Sequence, residues 1–164
     1  MKMKMKTIAI AAVFAAGFGA GLWAAGQTQQ APSLPAERVT GIGGVFFKAK
    51  DPKALRTWYQ EQLGIAMQDG VSFGMFLWRE RQDSSREGTT AWGLFPETTK
   101  YFAPSAAPFM INYRVRNLEA LLTQLRSAGV TVDGKVVEDF NGKFAWVVDP
   151  EGNKIELWEP KPGY

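Results

Sequence analysis

One carboxylate lies between large apolar residues near the end of the chain. The segment from Asp149 to Pro160 reads DPEGNKIELWEP, which predicts a tight turn followed by a short strand. Because side chains alternate along a strand, Ile155 and Leu157 point to one face, and Glu156 and Trp158 point to the other. A carboxyl group in such surroundings can act as a general acid or base, ligate a metal ion, or accept hydrogen bonds.

The residue types that most other active sites need are missing. The chain contains neither histidine nor cysteine, which excludes a histidine-based triad, a thiol nucleophile and a disulfide framework. The glycine-rich stretch 41–44 leads into a predicted strand rather than a helix, so it favours close packing or a β-bulge over phosphate binding. Glu156 is therefore the candidate catalytic residue.

The N-terminus has the pattern of an export signal. MKMKMK is followed by an uncharged apolar run that ends in small residues at Ala24 and Gly26. We expect a signal peptide over 1–26, cleavage before Gln27 and a periplasmic location. The apolar run is close to the ~20 residues that span a bilayer, so an uncleaved membrane tether is the alternative.

The rest of the chain has balanced charge and the length of one domain. Three of the 19 basic residues lie in the first six positions, which leaves 16 basic and 16 acidic residues afterwards. This balance argues against a nucleic-acid partner. Residues 27–38 are polar with two prolines and predict a linker.

Two helices are predicted in the remaining sequence. The first begins at Pro52 with Asp51 as its N-cap and ends at Gly64, and the second begins at Asn117 and ends at Gly129. Each has an apolar face. The residues of these faces are Leu55, Trp58, Tyr59 and Leu63 in the first helix, and Leu118, Leu121, Leu122 and Leu125 in the second.

The sequence around the two helices recurs along the chain. Val45, Phe47, Ala49, Asp51, Ala54 and Leu55 match Ile111, Tyr113, Val115, Asn117, Ala120 and Leu121 at an offset of 66. A second match, at an offset of 64, aligns REGTTAWGLFP with PEGNKIELWEP and places Trp92 on Glu156. The chain is therefore predicted to hold two copies of one strand–helix–strand–strand–strand unit.

The sequence resembles the vicinal oxygen chelate superfamily, which contains glyoxalases, bleomycin-resistance proteins and extradiol dioxygenases. The resemblance spans Val39 to Pro160 and rests on VFFKAKDPKALRTWYQEQLGI, INYRVRNLEALLTQLRSAGV and DPEGNKIELWEP. It implies an α+β fold in which two βαβββ modules, at about 39–96 and 108–160, form a curved, partly closed mixed sheet. Residues 161–164 would be a tail, and the resemblance also implies that the chain could form a homodimer.

The resemblance implies four metal-ligand positions on the concave face of that sheet. Carried over by motif, they fall on Gly44, Trp92, Met110 and Glu156. Only Glu156 can ligate a divalent ion, and a single carboxylate does not hold one. We therefore expect neither a metal nor a cofactor.

Alternation along the strands predicts which residues share the concave face with Glu156. The candidate ligand-binding residues are Phe46, Trp92, Met110, Asn112 and Trp158, and Leu94 is expected on the same face. Asn112 is expected to be the polar neighbour of Glu156, because Arg114 lies too far along its strand. Apolar walls with a few polar groups are typical of a small-molecule pocket, unless the side chains fill the space completely.

Three functions are compatible with this pattern. The first is metal-free binding of a small, partly apolar or aromatic molecule. The second is a metal-independent isomerase or lyase that uses Glu156 as general acid or base. The third is an interaction protein with a vestigial pocket.

The N-terminal prediction is tested by mass. Intact-mass measurement of protein from the cell envelope should show a chain that begins at Gln27, because a basic start and an apolar run precede small residues there. A mass that includes residues 1–26, found in the membrane fraction, would favour a tether instead.

Overall fold

The computed structural model describes residues 37–68, 72–81 and 83–164, which form seven strands and two helices. In chain order the elements are β1 (Val39–Ala49), α1 (Pro52–Leu63), β2 (Phe73–Arg79), β3 (Glu87–Pro96), β4 (Phe109–Val115), α2 (Leu118–Ser127), β5 (Val137–Asp139), β6 (Gly142–Val148) and β7 (Lys154–Pro160).

The strands form one open mixed sheet in the order β2-β3-β1-β4-β7-β6-β5. The β1–β3 and β4–β7 pairs are parallel, and the other pairs are antiparallel. The predicted α+β class with a mixed sheet is confirmed. In the first module the second strand is reduced to an isolated bridge between Met67 and Gly74.

The first helix begins at the predicted residue, and the second begins at Leu118, one residue after its predicted start, because Asn117 is its N-cap. The Asp51 side chain accepts a hydrogen bond from the Ala54 amide at 2.9 Å, and Asn117 accepts one from the Ala120 amide at 3.0 Å. These bonds satisfy amide donors that have no partner within the first turn of a helix. Gly64 ends α1 with a φ of 66°, a conformation that favours glycine.

The two helices pack on the same face of the sheet but to different depths. Leu118, Leu121 and Leu122 of α2 are buried against β4, β6 and β7. In α1 only Leu55 and Tyr59 of the predicted apolar face pack against the sheet cluster, and Leu63 is 59% exposed. The second helix therefore carries most of the helix-side core.

The opposite face, which we call the concave face, carries no helix. The loop 97–108, between β3 and β4, lies across one end of it. Phe102 of this loop is fully buried and packs with Phe46 and Met110. The loop thereby covers the end of the concave face where β1 ends. It does not cover the middle of that face.

The N-terminal predictions fall mostly outside the described residues. The predicted signal peptide 1–26 lies wholly outside them, as does most of the linker 27–38. Its described end is attached to α2, because the backbone of Glu37 exchanges two hydrogen bonds with the Gln124 side chain. None of the helices in the described part of the chain has the length and apolar character needed to cross a bilayer.

Replacement of Leu121 tests the helix-side core. Leu121→Ala should lower the free energy of unfolding by roughly 2–5 kcal/mol, because it leaves a cavity beneath α2. Leu63→Ala is the matched control and should stay within about 0.5 kcal/mol, since its side chain is exposed. Equal losses in a denaturant titration of the two variants would contradict this assignment of the core.

Candidate functional site

Glu156 is buried and accepts three hydrogen bonds. It pairs in register with Asn112, and its side chain is 2% exposed. Asn112 Nδ2 donates to Oε1 at 2.7 Å, and Trp146 Nε1 donates to Oε2 at 2.8 Å. The Tyr101 hydroxyl also donates to Oε2. The prediction that Asn112 is the neighbour of Glu156 is confirmed.

Three parts of the fold supply these donors. Asn112 comes from β4, and Trp146 lies opposite Glu156 in the β6–β7 register. Tyr101 comes from the loop 97–108, where its ring stacks on Phe95 with 5.5 Å between centroids. The carboxylate therefore joins the loop to both strands that flank β7.

The charge of Glu156 is balanced by neutral donors rather than by a cation. In residues 37–68, 72–81 and 83–164 no Lys or Arg forms an ion pair with it. The Lys154 Nζ lies over the Tyr101 and Trp146 rings, at 5.4 and 5.2 Å from their centroids. It donates a hydrogen bond to the Tyr101 backbone carbonyl at 2.8 Å rather than to the carboxylate.

The Tyr101 hydroxyl is held in its neutral form. Burial raises the pKa of Tyr101 well above its ordinary value, and the adjacent negative charge of Glu156 and its hydrogen bond raise it further. The hydroxyl consequently remains a donor to Glu156 throughout the neutral pH range.

A cavity of about 360 Å³ lies beside Glu156 and Asn112 in the middle of the concave face. Six of its lining residues are aromatic: Phe46, Phe73, Phe140, Phe144, Trp158 and Tyr164. The Phe144 and Trp158 rings are stacked, with 6.0 Å between centroids. The space therefore combines aromatic walls with two buried polar side chains.

One polar atom of this cavity has no partner in the described structure. Asn112 is 2% exposed, and its Oδ1 accepts no hydrogen bond from any described residue. Gly43 lies directly against it, because a Cβ added there would be 2.1 Å from Oδ1. The register of the β1–β4 pair shifts between Ile42 and Gly44, so Gly43 lies in a β-bulge. A β-bulge was one of the two interpretations of the glycine-rich stretch 41–44.

The structure brings most of the predicted site residues together. Phe46, Asn112, Glu156 and Trp158 line the cavity. Met110 is on the same face but is buried under the loop, in contact with Phe102 rather than with the cavity.

The predicted placement of Trp92 on the concave face is wrong. Trp92 packs on the helix side, with 4.5 Å between its ring centroid and that of Tyr59, and Leu94 lies in the same cluster. Asn112 pairs with Glu156, whereas Phe46 pairs with Gly93, so Gly93 is the counterpart of Glu156. The alignment at an offset of 64 was one residue out of register, and a slip of one residue moves every side chain to the other face.

Several residues of the site were missed from the sequence. Tyr101 and Phe102 lie in a loop without periodicity, and Phe140 contacts Tyr164, which was assigned to a tail. Phe144 and Trp146 could have been found, because they alternate along β6 and meet Trp158 and Glu156 in register.

Arg114 lies beside the cavity without lining it. Its guanidinium lies between the Trp78 and Trp158 rings, at 5.3 and 4.9 Å from their centroids, and donates to the Tyr164 carbonyl at 2.8 Å. Beyond it is a wider groove of about 800 Å³ that includes Arg81 and Arg116. Arg114 therefore separates an aromatic cavity from a basic groove.

The residues at the implied metal positions do not fit a divalent ion. Glu156 has both carboxylate oxygens engaged by N–H and O–H donors, and its neighbours on the concave face are Asn112, Met110 and Phe46. No cluster of three His, Cys, Asp or Glu side chains occurs within the described ranges. The metal-free state of the protein stays a prediction that elemental analysis can test.

The sequence profile of the glyoxalase/bleomycin resistance protein/dioxygenase superfamily matches residues 41–157. The chain belongs to this superfamily. Its match begins in β1 and ends in β7, so it includes Asn112 and Glu156, whereas Trp158 and Tyr164 of the cavity lie beyond its end. No curated protein matches the chain in sequence.

One solved structure shares the fold at low identity, and a second is similar to a lesser extent. A variant of Streptomyces coelicolor methylmalonyl-CoA epimerase in complex with 2-nitronate-propionyl-CoA is 18% identical with a TM-score of 0.53, and the match covers 74% of this chain and 97% of that one. Methylmalonyl-CoA epimerase from Mycobacterium tuberculosis is 22% identical with a TM-score of 0.48, covering 79% and 93%.

The hydrogen bonds to Glu156 predict a structural cost when its charge is removed. Glu156→Gln should lower the free energy of unfolding by roughly 1.5–3 kcal/mol, because the amide loses charge-assisted bonds and turns an N–H toward a donor. Glu151→Gln is the matched control, since its side chain lies in an exposed turn. Chemical denaturation of both variants measures the difference.

If Glu156→Gln instead leaves the free energy of unfolding unchanged or raises it, the gain from removing a desolvated charge outweighs the loss of the charge-assisted hydrogen bonds. That result would contradict a structural role for the carboxylate in joining the loop to the sheet.

Proposed function

We propose that this superfamily member binds a small, partly apolar or aromatic molecule in the central cavity of the concave face, without a metal ion. The observation that carries the proposal is a cavity of about 360 Å³ whose walls are mainly aromatic and which contains two buried polar side chains. Small-molecule pockets have this volume range and this composition.

The partial filling of the concave face supports binding over a vestigial pocket. The loop 97–108 occupies one end with Phe102, and Arg114 occupies the other with its stacked guanidinium. A cavity nevertheless remains between them, and Asn112, whose buried Oδ1 has no partner in the described residues, is among its lining residues. An unpaired polar atom in a buried site lowers stability, so a ligand that pairs with it gains affinity.

The N-terminal pattern supports binding outside the cytoplasm. A basic start and an uncharged apolar run precede the domain, and these are the features of a segment that directs export. We propose a periplasmic protein on this basis, with a membrane tether as the alternative.

The second candidate function is metal-independent isomerisation or elimination with Glu156 as acid or base. Its support is that Glu156 lines the cavity and that Oε1 accepts only one hydrogen bond from the described residues, from Asn112. In that case Glu156→Gln should abolish turnover while the variant still binds the ligand.

Native mass spectrometry of the protein purified from its source without chelator tests the proposed function. We expect about one retained small molecule per chain and no stoichiometric divalent metal, because the cavity has mainly aromatic walls and its residues lack a set of metal ligands. Phe144→Ala should release the molecule by opening the aromatic wall.

Phe76→Ala is the matched control, since Phe76 is 46% exposed and does not line the cavity. Equal retention by both variants would place the molecule elsewhere. About one Zn, Ni, Fe or Mn per chain would overturn the metal-free part of the proposal.

A further inference from the structure

We infer that the molecule held in the central cavity is an amphiphilic amine, bound with its protonated nitrogen toward Asn112 and Glu156 and its apolar or aromatic body against the surrounding rings. This inference rests on the proposed function and assigns the chemical class of the ligand.

The two buried polar side chains that line the cavity, Asn112 and Glu156, have acceptors to offer and no donors left. Asn112 Nδ2, Tyr101 Oη and Trp146 Nε1 all donate to Glu156. Trp158 Nε1 donates to the Asn141 carbonyl at 3.2 Å. Asn112 Oδ1 is the acceptor that no described residue satisfies. The ligand must therefore supply an N–H or O–H donor at this point.

The charge of the site favours a cation over a neutral donor. Glu156 is 2% exposed and has no ion pair in the described part of the chain. Lys154 and Arg114 are near, but neither lines the cavity, and each donates to a backbone carbonyl. Buried carboxylates are stabilised by a cationic partner, and a protonated amine beside Asn112 supplies one.

The walls fit the rest of such a molecule. Phe46, Phe144 and Trp158 present aromatic rings to the cavity. These aromatic side chains can bury the apolar or aromatic body of the ligand. A carboxylate or phosphate ligand is disfavoured, because it would meet the charge of Glu156 and leave Asn112 Oδ1 without a donor.

Calorimetric titration of the full chain with four matched probes tests the inference. The probes are 3-phenylpropylammonium, its N,N,N-trimethyl derivative, 3-phenylpropanol and 3-phenylpropanoate, which share one aromatic body. We expect 3-phenylpropylammonium to bind at least about tenfold more tightly than the alcohol, and the carboxylate to bind most weakly. The trimethyl derivative should fall between the two, because it keeps the charge and loses the N–H.

Two variants locate the preference at the carboxylate. Glu156→Gln should reduce the ammonium-to-alcohol preference to about twofold or less, whereas Glu151→Gln should keep it unchanged. Far-ultraviolet circular dichroism establishes that each variant is folded. If Glu156→Gln does not fold, the four-probe series on the unaltered protein decides the inference without it.

Each outcome of the probe series has a distinct meaning. Equal binding of the ammonium and the alcohol, or tightest binding of the carboxylate, would overturn the amine assignment and leave the proposed function standing. No binding of any probe at millimolar concentration, together with no retained molecule in native mass spectrometry, would overturn both. A trimethyl derivative that binds as tightly as the primary amine would remove Asn112 Oδ1 from the recognition.

Discussion

The buried carboxylate of Glu156 is the interaction on which the concave face depends. It accepts hydrogen bonds from Asn112 in β4, Tyr101 in the loop 97–108 and Trp146 in β6. Burial of a carboxylate costs free energy unless its oxygens accept hydrogen bonds. The three donors stabilise the buried charge, and the charge in turn holds the donor side chains in position. The position of the loop 97–108 over the sheet follows from this requirement.

The same carboxylate separates this chain from a metal-binding arrangement. A divalent ion needs several lone pairs from neighbouring side chains, and here N–H and O–H donors occupy that region. The surrounding positions carry Met110, Phe46 and Gly43, which favour apolar packing instead. The superfamily fold is thus combined with a cavity that has mainly aromatic walls and two buried polar side chains.

Small residues make the cavity geometry possible. Gly43 lets Asn112 Oδ1 and the Trp158 ring approach the β1 backbone, where an added Cβ would lie 2.1 Å and 2.8 Å from them. Gly93 gives room to Phe73 and Phe46 in the same way. A larger residue at either position would push an aromatic wall into the space that the ligand is proposed to occupy.

The sequence by itself determined both helices, the Asp51 cap of the first, and the proximity of Asn112 to Glu156, because these features follow from local signals and from strand alternation. The superfamily motifs added the α+β class and the mixed sheet. The face on which Trp92 lies was decided by tertiary structure. A register shift of one residue moves every side chain of a strand to the other face of the sheet, and a repeat alignment that is wrong by one residue does not reveal the shift. The roles of Tyr101, Phe102 and Tyr164 were also decided there, because they lie in segments without periodicity and reach the site only when the loop and the chain end fold back onto the sheet.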